Sequence, residues 1–302
     1  MVGESITSLF ERPASSPSLS ESIRWCSRLA RTHYENFTLI SWLVPQRIRA
    51  HLAALYAFCR TVDDIGDEAP GDRIELLDRF EAELNAAYDA RPYHPVIVAL
   101  QHTIHTYNLP IEPFCRLIEA NRIDQLKTRY ETFDKLLHYC DHSANPVGRL
   151  FLMLYGYRDE KRFALSDATC TALQLTNFWQ DIKRDLAMGR IYLPKEEMRR
   201  FGVTEEDLRE HRAGNRVKEL VFFQVTRTRG YFEAGLPLID LVNGHLKIDI
   251  ALFSRGGLAI LDKIKQQNYD TLSTRPILAK KEMLGLFFST LLSRRWKTWI
   301  DR

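Results

Sequence analysis

The chain has 302 residues, of which 45% are apolar and 27% are charged, and its net charge is +3. A chain of this length and composition can bury a sizeable core and is typical of an ordinary globular protein. The small net charge and the scattered Lys and Arg residues give no electrostatic reason to expect nucleic-acid binding. Five widely spaced cysteines without a Cys-x-x-Cys pair favour reduced thiols in a cytoplasmic protein.

The apolar runs are all shorter than the ~18 residues that a membrane-spanning helix needs, so we do not expect an integral membrane protein. Residues 1–18 contain Ser and Pro and lack the pattern of a signal peptide, which predicts a loose N-terminal arm. Residues 19–302 are predicted to form a single all-α domain, because long segments have a helical period and none alternates like a strand.

The predicted helices follow one another with short breaks, and no linker is long enough to separate domains. They cover approximately residues 20–32, 45–69, 72–89, 94–106, 110–127, 132–155, 166–188, 213–235, 245–267 and 278–299. Pro45 suits the first turn of its helix, and Ser166 is the predicted N-cap of another. Pro146 interrupts the segment 132–155, which predicts either a kink that lines a cavity or a break between two helices.

Two segments place polar side chains at helical spacing next to apolar residues. The Asp63 stripe consists of Tyr56, Arg60, Asp63 and Asp67. The Asp181 stripe consists of Gln174, Asn177, Asp181 and Asp185. We expect the rest of the protein to hold these two stripes face to face.

Each stripe contains two Asp residues four apart, which lie about 6 Å apart on a helix. At an effective dielectric constant near 20 their charges repel by roughly 3 kcal/mol. Water offsets this on an exposed helix, and a solvated face is the commoner explanation of a single pair. Both pairs here follow core-like segments, which favours a divalent cation as counter-charge. Oxygen donors without a local cluster of His or Cys fit Mg²⁺, which shares its coordination with substrate phosphates. They fit a structural Ca²⁺ site less well, because such a site usually draws its ligands from one compact loop.

Basic residues near the two stripes, namely Arg60, Lys183, Arg184 and Arg190, suit a diphosphate bound through Mg²⁺. The chain also contains 16 Phe and 12 Tyr residues. A helical bundle can enclose an apolar channel in which aromatic faces stabilise a cation developing on a hydrocarbon. Each aromatic taken alone is more often ordinary core. The combination predicts an isoprenoid diphosphate as substrate.

The motifs resemble those of the squalene/phytoene synthases, which are head-to-head prenyl synthases. The matching segments are Tyr56-Ala-Phe-Cys-Arg60 with Asp63-Asp-Ile-Gly-Asp67, Gln174-Leu-Thr-Asn177 with Asp181-Ile-Lys-Arg-Asp185, and Gly189-Arg-Ile-Tyr-Leu-Pro194. The resemblance covers about residues 20–275. It implies the isoprenoid synthase fold, a single helical bundle around a central cavity with two facing Asp-rich helices.

The resemblance also implies the roles of individual residues. The implied Mg²⁺ ligands are Asp63, Asp67, Asn177, Asp181 and Asp185. The implied contacts to substrate and diphosphate are His33, Tyr34, Arg60, Asn145, Gln174 and Arg190. The implied catalytic residues are Tyr56, Arg60, Tyr139 and Asn177, with Tyr139 in the reaction cavity.

Within the family, the segments 33–37, 143–148 and 179–181 resemble the bacterial hydroxysqualene synthase branch. Glu35 and Gln180 stand where condensing members commonly have Lys and Arg, and Arg255-Gly-Gly257 lacks a tyrosine often found there. Fewer cations weaken the case for two diphosphates. The resemblance thus implies Mg²⁺-assisted conversion of presqualene diphosphate and water to hydroxysqualene and diphosphate. One hypothesis is that Tyr34, Tyr139, Asn145 or Asn177 positions the water.

Two other functions stay open at this point. A condensing enzyme would join two farnesyl diphosphates to presqualene diphosphate, dehydrosqualene or squalene. A non-catalytic helical assembly factor would keep the fold, but the intact Asp pairs argue against it. Contact with enzymes of the same pathway is a further expectation.

Residues 284–299 combine apolar and basic side chains. Such a segment can lie on a membrane surface, here the inner face, or pack on the bundle with a basic end. The sequence alone favours the packed helix.

Overall fold

The computed structural model describes residues 16–33 and 44–292, with the side chains of residues 32 and 33 excepted. Within these ranges every regular element is a helix, and the only pairing of strand type is an isolated bridge between Arg129 and Ile191. The all-α prediction is confirmed. None of the described helices is long and apolar enough to cross a membrane.

The described residues fall into two compact units. The first unit contains the residues up to Leu126 together with Arg149–Arg158, and the second contains Lys127–Gly148 and the residues from Asp159 onward. Nothing in this division tests the prediction of a single domain from residue 19 to 302, which stays a prediction. The loose arm also stays a prediction, since residues 1–15 lie outside the described ranges.

The helices of the first unit are α1 (Leu19–His33), α2 (Gln46–Asp67), α3 (Arg73–Asp89), α4 (Pro95–Tyr107) and α5 (Glu112–Leu126). Helix α2 contacts all four others, which makes it the centre of this unit. It begins directly after Pro45, as expected for a residue that lacks a backbone N–H. Phe58 of α2 is fully buried between the rings of Phe80 and Phe114.

The next helices are α6 (Phe133–Ser143), α7 (Asn145–Leu154), α8 (Glu160–Gln180), α9 (Ile182–Ala187) and α10 (Lys195–Phe201). They are followed by α11 (Glu205–Arg209), α12 (Asn215–Gly235), α13 (Leu238–Leu241), α14 (Gly244–Gln266) and α15 (Lys280–Leu292). In the second unit α8 packs against α6, α12 and α14. Trp179 of α8 is completely buried and donates a 2.8 Å hydrogen bond to Thr228 of α12.

Of the two alternatives predicted around Pro146, the structure has the break between two helices, at Ala144, and not the kink inside one helix. The predicted start of the next helix was wrong. Helix α8 begins at Glu160, because the side chain of Asp159 accepts the backbone N–H of Arg162 and so caps the first turn. Ser166, the predicted N-cap, is buried within α8.

Candidate active site

The Asp63 stripe lies on the C-terminal half of α2, as the sequence predicts. Asp63 and Asp67 are exposed, whereas Tyr56 and Arg60 are half-buried. Asn121 of α5 donates a hydrogen bond to Asp63 Oδ1 at 3.3 Å. The helix therefore presents both carboxylates on an accessible side and gives Asp63 a neutral partner.

The end of α2 is shaped so that Asn121 can reach this position. A Cβ atom at Gly66 would lie 2.2 Å from Asn121 Oδ1, so only glycine allows the approach. Gln125 donates to the Gly66 carbonyl at 3.0 Å. Arg73 donates to the carbonyls of Gly66 at 3.0 Å and Asp67 at 2.9 Å. These bonds satisfy carbonyls that a helix terminus otherwise leaves without partners.

Arg60 is engaged by acidic residues on its own helix. Its guanidinium pairs with Asp64 one turn away and lies 3.5 Å from Glu68. Burial alone would lower the pKa of Arg60, but the Asp64 and Glu68 carboxylates raise it above its usual value. In this structure the cation is thus held by Asp64, a residue that the sequence did not single out.

Asp63 and Asp67 fit a divalent cation. Although part of Asp63 reaches solvent, protein atoms around its carboxyl desolvate it and, with the nearby Asp67 carboxylate, raise its pKa to about 7, against the lowering effect of the Asn121 bond. Desolvation and the neighbouring Asp67 carboxylate both disfavour negative charge on Asp63, and Mg²⁺ bound between the two carboxylates would offset that cost. Among the described residues no three His, Cys, Asp or Glu side chains are grouped around a metal position. Mg²⁺ in proteins usually keeps several water ligands and shares its coordination with substrate phosphate, which two carboxylates would permit here.

The Asp181 stripe crosses the junction between α8 and α9. Asp181 itself is not helical, with φ −109° and ψ 15°. Hydrogen bonds at 2.9 Å nevertheless continue the helical pattern, from Asp181 N to Asn177 O and from Asp185 N to Asp181 O. Gln174 and Asp185 are half-buried and Asn177 is exposed, so the predicted spacing persists through a break that was not expected.

Asp181 is neutralised by a residue 94 positions later in the chain. Arg275 donates through Nη2 to Asp181 Oδ2 at 3.0 Å and through Nε to Oδ1. The Asp181 side chain is 7% exposed and that of Arg275 is 45% exposed. Hydrogen bonding to Asp181 raises the pKa of Arg275. A forked guanidinium–carboxylate pair of this kind is strong and directional.

Two further bonds attach the segment 271–276 to the same junction. Gln180 donates to the Pro276 carbonyl, and Lys183 donates to the Leu272 carbonyl at 3.1 Å. An open cleft of about 260 Å³ lies beside these bonds, lined by Lys183, Arg184 and Arg275 as well as Asp181. Arg275 is paired with Asp181, so Lys183 and Arg184 supply the additional positive charge that favours an anion in this cleft.

Tyr139 of α6 lies in an aromatic cluster. Its ring centroid is 5.7 Å from those of Tyr130 and Tyr192 and 6.1 Å from that of Phe178. Phe178 and Tyr192 stack with 4.0 Å between centroids. Tyr139 is only 6% exposed. Aromatic faces gathered in this way can stabilise positive charge on an apolar ligand.

Comparison with known proteins adds to this geometry. The sequence profile of the squalene/phytoene synthase family matches residues 30–282. Phytoene synthase of Arthrospira platensis is 30% identical over 295 residues, which cover 91% of this chain and 94% of that protein. 15-cis-phytoene synthase of Synechococcus elongatus is 32% identical over 272 residues, which cover 85% and 88% of the two chains.

Solved structures of two related enzymes are similar to this chain. The crystal structure of squalene synthase HpnC from Alicyclobacillus acidocaldarius has 49% identity and a TM-score of 0.80, over 83% of this chain and 95% of that one. A dehydrosqualene synthase in complex with ligand has 25% identity and a TM-score of 0.83, over 90% and 96%.

The chain belongs to the squalene/phytoene synthase family. As a squalene/phytoene synthase family member it is an enzyme of isoprenoid biosynthesis, in a family of head-to-head prenyl transferases with the isoprenoid synthase fold. These relatives are a phytoene synthase, a squalene synthase and a dehydrosqualene synthase.

Four other residues that the sequence predicts for the site of this family member are Asn145, Arg190, His33 and Tyr34, and the structure describes the side chains of the first two. Asn145 is buried, donates to Asp141 at 3.3 Å and accepts from Thr171 at 3.0 Å, so both ends of its amide are bound. Arg190 is buried, and its N–H donates to the Asp185 carbonyl at 2.8 Å. At the next residue, Ile191 N donates to Thr128 O at 2.9 Å. Tyr34 and the His33 side chain lie outside the described residues.

The predicted site residues that the structure describes are divided between the two units. Tyr56, Arg60, Asp63 and Asp67 belong to the first unit, and Tyr139, Asn145, Gln174, Asn177, Asp181, Asp185 and Arg190 to the second. The face-to-face arrangement of the two stripes stays a prediction. Sequence reasoning missed Asn121, Arg73 and Arg275, since nothing in their local sequence signals the distant partner.

Proposed function

We propose that this enzyme joins two molecules of farnesyl diphosphate head to head, with Mg²⁺, to presqualene diphosphate, to dehydrosqualene or, when a hydride donor such as NADPH is supplied, to squalene. The observation that carries the proposal is that the Arg275 guanidinium donates a hydrogen bond to the Asp181 carboxylate. The sequence argument against two diphosphates rests partly on the neutral Gln180. Arg275 supplies a cation next to that position, together with Lys183 and Arg184 around the same cleft. The name of the 49% identical relative, squalene synthase, supports farnesyl chains as substrate.

The proposed roles follow from the positions described above. When bound at the Asp pairs, Mg²⁺ would act as a Lewis acid on the leaving diphosphate. Lys183, Arg184 and Arg275 would bind diphosphate oxygens in the cleft beside Asp181. The aromatic cluster around Tyr139 would exclude water and stabilise the carbocation.

Hydration of presqualene diphosphate to hydroxysqualene is a second candidate. The observation that favours it is that Gln180 is uncharged and its amide is bound to the Pro276 carbonyl. Position 180 itself therefore offers no charge to a second diphosphate. Of the residues suggested to position water, Asn177 is exposed, whereas the Asn145 amide already has two partners.

One experiment separates the candidates. Purified enzyme with Mg²⁺ is supplied with farnesyl diphosphate or with presqualene diphosphate, and the products are identified by mass spectrometry in ¹⁸O-labelled water. Conversion of farnesyl diphosphate alone to a C30 product supports condensation. Labelled hydroxysqualene from presqualene diphosphate, with farnesyl diphosphate untouched, would establish the second candidate instead. If neither substrate releases diphosphate, a non-catalytic role becomes the better explanation.

A further inference from the structure

Two histidines lie one turn apart near the end of α6 (Phe133–Ser143). His138 is exposed and His142 is half-buried. Their ring centroids are 4.5 Å apart. Two imidazoles bound to one metal ion, with metal–nitrogen distances of about 2.0–2.1 Å, have ring centroids roughly 4.5–5 Å apart. The two rings are therefore already at the separation that a shared ion requires.

The His142 ring is held in the orientation of a metal ligand. Its Nδ1 atom lies 2.8 Å from the His138 carbonyl oxygen. A carbonyl can only accept, so Nδ1 carries the proton and the lone pair of the neutral ring is on Nε2. Histidines that bind metals usually donate the other ring N–H in this way. Within the described residues no hydrogen bond engages Nε2 of His142 or the ring of His138.

The charge at this end of α6 favours a cation. Asp134 lies one turn before His138, and Asp141 lies next to His142. Lys135 is the one Lys or Arg residue in the sequence of α6. The carbonyl groups in the last turn of a helix add partial negative charge, which stabilises a positive ion there. A divalent ion at His142 would therefore meet a favourable field from both the backbone and the side chains.

The donor atoms determine which metals fit. Imidazole nitrogens bind Zn²⁺, Ni²⁺ and Cu²⁺, whereas Mg²⁺ prefers oxygen donors. The His-x-x-x-His spacing is also that of zinc-binding helices, in which hydrolytic enzymes carry a Glu directly after the first His. Tyr139 stands at that position and is buried, so the pair has no such base. Among the described residues no third His, Cys, Asp or Glu is grouped with the pair, which leaves the other coordination positions to water.

We propose that α6 binds a transition-metal ion, of the class of Zn²⁺ and Ni²⁺, through the imidazoles of His138 and His142. The ion links two successive turns at the end of α6 and so stabilises the backbone that carries Tyr139. The Tyr139 ring lies on the buried side of the helix, so the ion acts on its position from the solvent side. Binding needs neither substrate nor the Asp pairs and is independent of the proposed function.

The test is calorimetric titration of the full-length, tag-free protein with Ni²⁺ or Zn²⁺. Excess Mg²⁺ is present throughout, because it occupies carboxylate sites and competes poorly for imidazole. We expect one bound ion per chain to depend on the pair. His138→Ala or His142→Ala should weaken its affinity by ~10-fold or more, because a second ligand no longer binds intramolecularly. The matched control is His211→Ala/His245→Ala, which removes two exposed histidines elsewhere in the chain and should bind like the wild type.

Spectroscopy identifies the ligands. With one equivalent of Cu²⁺, the ion that binds such nitrogen donors most tightly, the electron paramagnetic resonance spectrum should show coupling to two imidazole nitrogens. Each single variant should show coupling to one. Ni²⁺ should also raise the melting temperature of the wild type and leave that of the variants unchanged.

Circular dichroism melts without metal show whether each variant folds. His138→Ala, at an exposed position, keeps the test decisive if His142→Ala is destabilised. Three results would refute the proposal: no Ni²⁺ or Zn²⁺ binding by the wild type, an affinity unchanged in both single variants, or an equal loss of affinity in the control variant.

Discussion

At the scale of single residues, Arg275 and Asp181 show how one distant side chain alters a functional motif. A carboxylate that is 7% exposed needs a counter-charge, and in this structure Arg275 provides it. Mg²⁺ at the Asp181 stripe would have to share or replace this partner. The pair therefore couples the position of the segment 271–276 to whatever cation Asp181 binds.

Arg275→Ala should lower the free energy of unfolding by about 1–3 kcal/mol in metal-free buffer, because Asp181 loses its partner. Added Mg²⁺ should then raise the melting temperature of the variant more than that of the wild type. Arg229→Ala is the control, since Arg229 pairs with Asp262, whose side chain is 54% exposed. Arg229→Ala should lower the free energy of unfolding by less than about 1 kcal/mol, because exposed ion pairs contribute little. Equal losses for the two variants would contradict the role assigned to Arg275.

Asp249 of α14 predicts a pH dependence of stability. It is fully buried, and neither carboxylate oxygen has a hydrogen-bond partner among the described residues. Burial raises the pKa of Asp249 to about 7 from 3.8. The native state then binds this proton more tightly than the unfolded state, so the contribution of Asp249 to stability falls as the pH rises from about 4 to about 7.

Asp249→Asn removes this ionisation. At each pH the free energy of unfolding of the wild type is subtracted from that of the variant. This difference should be about 2–3 kcal/mol larger at pH 8 than at pH 5, because only the wild type loses stability over this range. Urea denaturation at the two pH values measures the difference. Asp262→Asn, on the exposed side of the same helix, should show no comparable change. If the free energies of unfolding of the variant and the wild type differed by the same amount at both pH values, burial would not raise the pKa of Asp249.

At the scale of elements, glycine determines how closely helices approach. A Cβ atom at Gly235 of α12 would lie 2.1 Å from Thr169 Oγ1 and 3.0 Å from the Leu165 carbonyl, both on α8. Because a backbone atom is among these neighbours, the contact cannot be relieved by moving a side chain alone. Gly148 likewise lies where a Cβ would be 2.4 Å from Ser166 Oγ. The helix that carries the Asp181 stripe is thus packed through small residues.

Gly235→Ala should destabilise the protein by about 1–3 kcal/mol, because the added methyl separates α12 from α8. Gly230→Ala, on the same helix, is the matched control, since no atom lies within 4 Å of its Cβ position. It should stabilise by about 0.5–1 kcal/mol through helix propensity. Thermal melts followed by circular dichroism give both values. Two changes of the same sign would contradict the packing argument.

At the scale of the whole molecule, the chain enters the first unit twice. That unit contains the residues up to Leu126 and then Arg149–Arg158, so neither unit is one uninterrupted stretch of chain. Helix α7 (Asn145–Leu154) contributes residues to both sets. The sequence prediction of a single domain from residue 19 to 302 implies that the two units unfold together.

We therefore expect a single transition in calorimetry, with equal calorimetric and van't Hoff enthalpies. Its enthalpy near 60 °C should be about 200 kcal/mol for a chain of this length. Two resolved transitions would show that the units unfold independently and that the single-domain prediction is wrong. Gly235→Ala offers a check. In a single domain this destabilising substitution should lower the temperature of the one transition without splitting it into two.

The sequence by itself determined what depends on local periodicity. The helices, the two stripes and the family motifs are visible because residues that share one side of a helix are spaced three and four positions apart. The start of α8 after Asp159 was missed, since a cap depends on a single hydrogen bond. This error did not alter the stripes.

Only the tertiary structure decided which partners the acidic residues have. Asn121 reaches Asp63 from 58 residues away, and Arg275 reaches Asp181 from 94 residues away. Such contacts depend on how closely helices and loops approach, which at Asp63 is set by the missing side chain of Gly66. No local pattern encodes that distance. The Asp pairs were therefore predictable, whereas the counter-charge on Asp181, which bears on the choice between one diphosphate and two, was not.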